Sequence, residues 1–218
     1  MKRINIFFHV ATINHYKSIV ENTLELIHKS GLYDECENIF LCIVGNEDLN
    51  ISDPKIKKIH NPNIEHGEFF TLKILEDFCK ENDSLVLYLH TKGVTTPGNK
   101  CIDDWRNYML FFNVEKYKTC IDSLKENDTC GVDLVTTPTN HYSGNFWWSK
   151  SSHIKNLPKI EEINSDSFPT ILTKRHNAEF WICISPGRFK NLWSSNINVY
   201  ERHLHEYNRD KYDVCNSL

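Results

Sequence analysis

The chain has 218 residues, of which 40% are hydrophobic, 12% aromatic and 25% charged. This composition is that of a globular protein that can build a core, and the length suits one α/β domain. The formal net charge of −4 argues against general binding to nucleic acid, because phosphates require a basic face.

Two features of the sequence bear on its compartment. Lys2 and Arg3 precede apolar residues like the start of a signal peptide, but Asn5 and His9 interrupt that run, and no stretch is long enough to cross a bilayer. None of the eight cysteines forms a Cys-x-x-Cys pair, so we expect free thiols in a reducing compartment. The sequence therefore predicts a soluble, cytoplasmic protein without a transmembrane segment.

The first part of the chain has the pattern of a βαβ unit. Residues 4–10 and 38–44 are apolar runs, and between them residues 16–29 repeat apolar side chains at helical spacing. Strand, helix and strand in this order predict two parallel strands joined by a crossover. A short strand at 57–60 and an amphipathic helix at 69–80 are predicted next.

The stretch 84–93, S-L-V-L-Y-L-H-T-K-G, is the one around which we expect the fold to be arranged. Residues 85–89 are all apolar or aromatic, which is typical of a strand buried on both faces. The strand then meets His90, Thr91 and Lys92. Because open α/β sheets bind ligands beyond the carboxyl ends of their strands, this basic tip is a candidate anion site. A solvated turn at the end of a strand is the alternative.

The second half of the chain continues with alternating helices and strands. The predicted elements are a loop at 94–100, helices from 103 and at 114–125, a strand at 132–137, an aromatic strand after the turn 141–145, a helix at 149–156, a loop at 160–169 and a helix at 175–184. We find no repeat, linker or low-complexity segment. Residues 1–218 are therefore predicted to form a single α/β domain with a mixed, mostly parallel sheet flanked by helices.

Three motifs in this order resemble those of small glycosyltransferases with the GT-A fold. They are Y-L-H-T-K-G at 88–93, S-G-N-F-W-W at 143–148 and A-E-F-W at 178–181. Such domains occur in bacterial polysaccharide loci and in large DNA viruses that glycosylate their capsids. The resemblance covers most of the chain and implies a Rossmann-like domain. It also implies transfer of a sugar from a nucleoside diphosphate, most often UDP, to a saccharide or a glycoprotein glycan.

The resemblance also implies where the donor binds. Two residues in the loop after the first strand are expected near the base and ribose, the strand tip near the diphosphate, and the 143–145 turn near the donor sugar, which its glycine lets the backbone approach closely. The expected donor-binding residues are Thr12, Asn14, His90, Thr91, Lys92, Gly93, Gly144 and Asn145.

The tip departs from the family pattern at the position of the metal site. Many GT-A enzymes carry Asp-x-Asp there, which holds Mn²⁺ or Mg²⁺ against the diphosphate. This chain has His-Thr-Lys at 90–92, which cannot make such a site. We expect Lys92 to supply the positive charge directly. The alternative keeps the metal, with Mn²⁺ favoured, on His203 or His205 together with Asp83.

Glu179 is the candidate base. An inverting transferase needs a carboxylate to take the proton of the acceptor hydroxyl, and the resemblance implies that the 178–181 helix carries it. The alternative is an exposed glutamate that pairs with Arg175 four residues earlier. A retaining reaction is also left open.

Further contacts with donor or acceptor are expected from four residues. Trp147 and Trp148 point to opposite faces of a strand, so one is expected in the core and the other at a sugar, unless both pack in the interior. Asp104 and Arg106 are expected to contact donor or acceptor, or else only to begin a helix.

The sequence leaves two alternative functions open. The missing Asp-x-Asp motif favours a nucleotide-sugar-binding module that has lost turnover. A nucleotidyltransferase or another nucleotide enzyme is the more distant alternative, and the chain has neither a Gly-x-Gly-x-x-Gly nor a Gly-x-x-x-x-Gly-Lys-Ser/Thr pattern.

Overall fold

The structure is a computed structural model that describes residues 2–47, 49–163, 174–198 and 200–213. In these ranges the strands are β1 (Arg3–Ala11), β2 (Cys36–Val44), β3 (Ile56–Asn61), β4 (Ser84–His90), β5 (Thr129–Gly131), β6 (Leu134–Val135), β7 (His141–Tyr142), β8 (Trp147–Lys150) and β9 (Phe189–Asn191). The α-helices are α1 (Tyr16–Lys29), α2 (Leu32–Glu35), α3 (Gly67–Glu81), α4 (Lys100–Leu110), α5 (Tyr117–Ser123), α6 (Ser151–Ile154) and α7 (Lys174–Phe180).

Within the described ranges, seven strands form one sheet in the order β3-β2-β1-β4-β8-β5-β9, and β6 pairs with β7 separately. The first four strands are parallel neighbours, and β9 is parallel to β5. Only β8 runs against its neighbours, β4 and β5. The predicted βαβ unit and the predicted mixed, mostly parallel sheet flanked by helices are confirmed.

The strand order reverses between β1 and β4. From β1 the chain proceeds to β2 and β3 on one side, and it then returns to place β4 on the other side of β1. In open α/β sheets, the crevice outside the carboxyl ends of the strands at such a reversal is where ligands bind. The fold therefore directs attention to the end of β4.

Apolar layers cover both faces of β4, which is buried along its whole length. Successive side chains of a strand point to opposite faces. Leu87 and Leu89 accordingly join the core cluster that includes α1 and α4, whereas Val86 and Tyr88 join the cluster that includes α3 and α7. Burial of each such side chain contributes about 2 kcal/mol of transfer free energy. The central position predicted for this strand is confirmed.

Two predicted boundaries after β4 are wrong. The helix begins at Lys100 rather than at 103, because the Asn99 side chain accepts a hydrogen bond from the Ile102 N–H and caps it. The strand predicted at 132–137 forms only as β6, Leu134–Val135, because Asp133 has a φ of +51° and turns the chain after β5. The short β6 that follows pairs outside the main sheet.

Other helical segments are shorter or more irregular than predicted. The segment predicted as a helix at 114–125 begins with a π turn, Phe111–Glu115, before α5. The last predicted helix ends at Phe180 and continues as the 3-10 turn Trp181–Cys183. β9 is not predicted by the sequence, and residues 164–169 of the predicted loop lie outside the described residues.

Two observations bear on the predictions about membrane-crossing segments and cysteines. Of the helices in the described ranges, none combines the length and the apolar composition that crossing a bilayer requires. All cysteines that the structure describes are free thiols, and most of them are buried.

Candidate functional site

A cleft of about 320 Å³ opens at the carboxyl ends of β1 and β4, where the strand order reverses. All four residues of the tip 90–93 line it, as do His9 of β1, Glu68 in the first turn of α3, and Ala178 of α7. The sequence-predicted tip is therefore part of a real concavity rather than a turn in solvent.

Short contacts fix the backbone of this tip. Thr91 Oγ1 accepts a hydrogen bond from the Ala11 N–H at 3.1 Å, which ties the end of β4 to the end of β1. The Lys92 carbonyl accepts a hydrogen bond from Arg106 Nη1 at 2.8 Å. Gly93 has a φ of +89°, and a Cβ there would lie 2.9 Å from Ile102 Cγ2. These contacts fix the backbone position from which the Lys92 side chain extends.

The Lys92 ammonium lies against an aromatic ring. Its Nζ is 3.6 Å from the centroid of the Trp105 indole, which is a cation–π contact. Arg106 was expected to contact donor or acceptor. In the structure it donates a hydrogen bond to the Lys92 carbonyl and pairs with Asp103 at 2.8 Å. Asp104 accepts hydrogen bonds from Lys100 Nζ and from the Tyr207 N–H, so it fastens the C-terminal segment to α4.

The peptide groups of Gly144 join the strand tip to α7. His90 Nε2 donates a hydrogen bond to the Gly144 carbonyl at 2.9 Å, and Glu179 Oε1 accepts one from the Gly144 N–H at 2.7 Å. Gly144 has a φ of +92°, and a Cβ there would lie 2.6 Å from Met109 Sδ. Three motifs that are far apart in the sequence thus meet at one turn. The Arg175 side chain, the alternative partner of Glu179, lies outside the described residues.

Asn145, expected at the donor sugar, positions a carboxylate instead. Its Oδ1 accepts a hydrogen bond from Trp147 Nε1 at 2.8 Å, and its Nδ2 donates to Glu68 Oε2 at 2.7 Å. Tyr88 donates its hydroxyl proton to the same Glu68 oxygen at 2.8 Å. Glu68 was not predicted from the sequence, where an acidic residue in the first turn of a helix indicates only a favourable dipole interaction.

Two titratable side chains that line the cleft, Glu68 and His9, have shifted pKa values. Burial raises the pKa of Glu68, but the charges of His90 and His9 and the hydrogen bonds from Tyr88 and Asn145 outweigh it and lower the pKa to about 2. Burial lowers the pKa of His9 to about 4, against the opposing effect of Glu68. At pH 7 Glu68 is therefore an anion and His9 is neutral.

The loop after β1 contributes to the cleft through different residues from those expected. Ile13 of this loop lines the cleft together with Ala11, the last residue of β1. Asn14, with a φ of +48°, donates its Nδ2 hydrogen to the Val94 carbonyl at 2.8 Å and so ties this loop to the segment after β4. Thr12 Oγ1 is buried beside Gly45 and has no hydrogen-bond partner among the described residues.

The expectation that one of two tryptophans faces a sugar requires correction. Trp147 and Trp148 are 1% and 0% exposed. Trp147 stacks on Tyr88, with ring centroids 5.1 Å apart, and Trp148 Nε1 donates a hydrogen bond to the Asn113 carbonyl. β8 lies inside the sheet with apolar layers on both faces, so both indoles pack in the interior.

The residues at the tip do not fit a Mn²⁺ or Mg²⁺ site. Among the described residues there is no cluster of three or more His, Cys, Asp or Glu side chains that could hold a metal. Asp83, in the alternative with His203 or His205, precedes β4 and pairs with Lys2 at 2.8 Å. The seven residues of β4 span about 20 Å, so Asp83 lies at the opposite edge of the sheet from the cleft.

The fold and the cleft together define a Rossmann-like mixed α/β domain with a polar crevice at the reversal of strand order. The chain belongs to DUF8361, a domain family of unknown function, whose match extends over residues 4–189. No curated protein matches the sequence. The matched range contains the three motifs and the elements that line the cleft, whereas residues 190–218 follow it.

Proposed function

We propose that this protein is a glycosyltransferase of the GT-A type that moves a sugar from a nucleoside diphosphate, with UDP the expected nucleotide, to a saccharide or glycan acceptor. The observation that carries the proposal is the cleft at the reversal of strand order, which has a lysine in its wall. The hydrogen bonds of Glu179 and His90 to the two sides of Gly144 add support, since they join the third motif to the same site.

Lys92 binds the diphosphate in this proposal. Lys92 lines the cleft, and its ammonium, a phosphate-binding group, lies against the Trp105 ring while Arg106 holds its carbonyl. As the bond between the anomeric carbon and the diphosphate oxygen breaks, the fixed cation stabilises the charge that develops on the leaving group. No step of the proposal passes through a metal ion.

Glu179 accepts the proton of the acceptor hydroxyl as that oxygen attacks the anomeric carbon, which gives inversion. The Gly144 N–H orients the carboxylate through Oε1, and no described residue donates a hydrogen bond to Oε2. That second oxygen is the one assigned to the proton. Retention at the anomeric carbon remains the alternative outcome within the same fold.

A binding module without turnover is the second candidate. The observation that favours it is that Ala178, rather than Glu179, is the residue of α7 that lines the cleft. A base must reach the acceptor hydroxyl directly or through one water. Tight binding of a nucleotide sugar without release of the nucleotide would decide for this candidate.

The first experiment is a thermal-shift screen of the purified chain with UDP-, GDP-, CMP- and dTDP-sugars, each with and without Mn²⁺. It is followed by an assay of nucleotide release and by NMR of the product's anomeric configuration. We expect stabilisation by a UDP-sugar, slow release of UDP and activity that survives excess chelator. Activity that chelator abolishes and Mn²⁺ restores would refute the role of Lys92.

Two variants test the individual roles. K92M should weaken donor binding at least about tenfold, since it removes a charge-assisted contact. K118M is its control, because Lys118 is exposed and lies over the Tyr117 ring at 5.8 Å, away from the cleft. E179Q should keep donor affinity and lose about 10² to 10⁴ in turnover. A wild-type rate in E179Q would exclude it as the base.

A further inference from the structure

One ionised carboxylate in the cleft has no part in the transfer described above. We infer that Glu68, together with His9, binds adjacent hydroxyl groups of the donor and thereby fixes which part of the nucleotide sugar lies on the cleft floor. The inference rests on the proposed function for the identity of the ligand. The arrangement of the two side chains rests on the described residues alone.

The Glu68 carboxylate is held rigidly but only on one side. Tyr88 and Asn145 both donate to Oε2, at 2.8 and 2.7 Å, and Trp147 in turn fixes Asn145. No described residue donates a hydrogen bond to Oε1, and Glu68 lines the cleft. A rotationally fixed carboxylate with one oxygen left over is arranged to accept a hydrogen from a ligand.

His9 offers a second polar atom in the same cleft. Its Nδ1 lies 2.8 Å from Thr71 Oγ1, which fixes the ring, and His9 also lines the cleft. None of the described residues forms a hydrogen bond with its Nε2. An imidazole nitrogen and a carboxylate oxygen in one cleft match two neighbouring hydroxyls, since each hydroxyl can both donate and accept.

The charge of Glu68 sets the chemistry of what it binds. Its pKa of about 2 keeps it ionised at pH 7, so it accepts hydrogen bonds, donates none and repels phosphate. The same low pKa makes it a poor proton acceptor, which separates its role from that of a base. Lys92, which also lines the cleft, carries the positive charge that an anion requires. The neutral, hydroxyl-bearing part of the donor therefore belongs at Glu68 and the diphosphate at Lys92.

Adjacent hydroxyls occur in the ribose and in the transferred sugar, so the test must separate the two. Isothermal titration at pH 7 would compare the wild type with E68Q, using UDP, 2′-deoxy-UDP, UDP-glucose and pyrophosphate as probes. E81Q is the matched control, because Glu81 is an exposed glutamate at the end of the same helix, α3, and does not line the cleft. The Gln side chain can still accept hydrogen bonds from Tyr88 and Asn145, so the E68Q variant is expected to fold.

We expect E68Q to bind UDP or UDP-glucose about tenfold or more weakly than the wild type, since a hydrogen bond to a charged group is lost. Pyrophosphate binding should not weaken, and E81Q should match the wild type. If E68Q binds UDP more weakly than the wild type does, but binds 2′-deoxy-UDP equally well, then Glu68 binds the ribose. A loss confined to UDP-glucose assigns the sugar.

Equal affinities of E68Q and the wild type for UDP and for UDP-glucose would overturn this inference while leaving the proposed function intact. A wild type that binds none of the nucleotides would overturn the proposed function itself, and the inference with it. If E68Q does not fold, the wild type alone decides. The wild-type affinity is then compared within two ligand pairs, which are UDP with 2′-deoxy-UDP and UDP-glucose with UDP-2-deoxyglucose. We expect the affinities to differ about tenfold in one pair. Equal affinities in both pairs would refute the inference.

Discussion

Mild acid should destabilise this protein through His9. The side chain is 4% exposed, and burial lowers its pKa from 6.5 to about 4 although Glu68 lies nearby. Between pH 6.5 and pH 4 the unfolded chain binds a proton at this position that the folded chain does not bind. The free energy of unfolding therefore falls as the pH falls through this range, and it is unaffected by His9 above about pH 7.

The size of the effect follows from the two pKa values. Their difference corresponds to about 3 kcal/mol at 1.36 kcal/mol per pKa unit, of which about 2 kcal/mol is lost between pH 7 and pH 4.5. This is a large part of the 5 to 15 kcal/mol typical of a folded domain. H9N places an amide near the position of Nδ1 and can keep the bond to Thr71, but it does not titrate. Its unfolding free energy should therefore depend less on pH, by about 2 kcal/mol over the same interval.

Urea denaturation followed by tryptophan fluorescence at pH 7, 5.5 and 4.5 measures this difference. V20A is the control, because it removes buried apolar atoms of α1 but no titratable group, so its pH profile should run parallel to that of the wild type. Parallel pH profiles for the wild type and H9N would refute the reasoning. So would an NMR titration of His9 with a midpoint near 6.5, because the folded and unfolded states would then bind the proton equally.

Two further predictions concern stability and are also read by urea denaturation. G144A should lower the unfolding free energy by about 2 to 4 kcal/mol, because it combines backbone strain at φ +92° with a clash at Met109. G98A is the control, with a φ of +78° and no atom within 4 Å of the added Cβ, and it should lower the unfolding free energy by only about 1 kcal/mol. Equal losses in the two variants would contradict the packing argument. D133N should cost about 3 kcal/mol, because Asp133 is 3.1 Å from the buried guanidinium of Arg202. Adding R202M should recover part of that loss, and additive losses would contradict the pairing.

The elements around the cleft could be predicted from the sequence because their signals are local. The apolar run at 85–89, the helical spacing at 16–29 and the order of strand, helix and strand were sufficient for the parallel β1, β2 and β4. Polar residues directly after a buried strand must lie at the carboxyl edge of the sheet, so the position of the 90–93 tip also followed. Two predicted boundaries were wrong because of single residues: the Asn99 side chain caps α4 at its start, and the positive φ of Asp133 turns the chain after β5.

The chemistry inside the cleft was decided by contacts between residues distant in the sequence. Glu68 becomes a fixed anion because the charges of His90 and His9 lower its pKa and because Tyr88 and Asn145, 20 and 77 positions away, donate to the same oxygen. Likewise, the aromatic pair 147–148 has the same sequence pattern whether β8 is at an edge or inside the sheet, and its place between β4 and β5 buries both rings. The sequence by itself determined the strands and the edge at which polar groups gather, since periodicity is a property of neighbouring residues. Only the tertiary structure decided which of those groups are charged, buried or open to a ligand, because solvation and hydrogen bonding depend on all the elements packed around them.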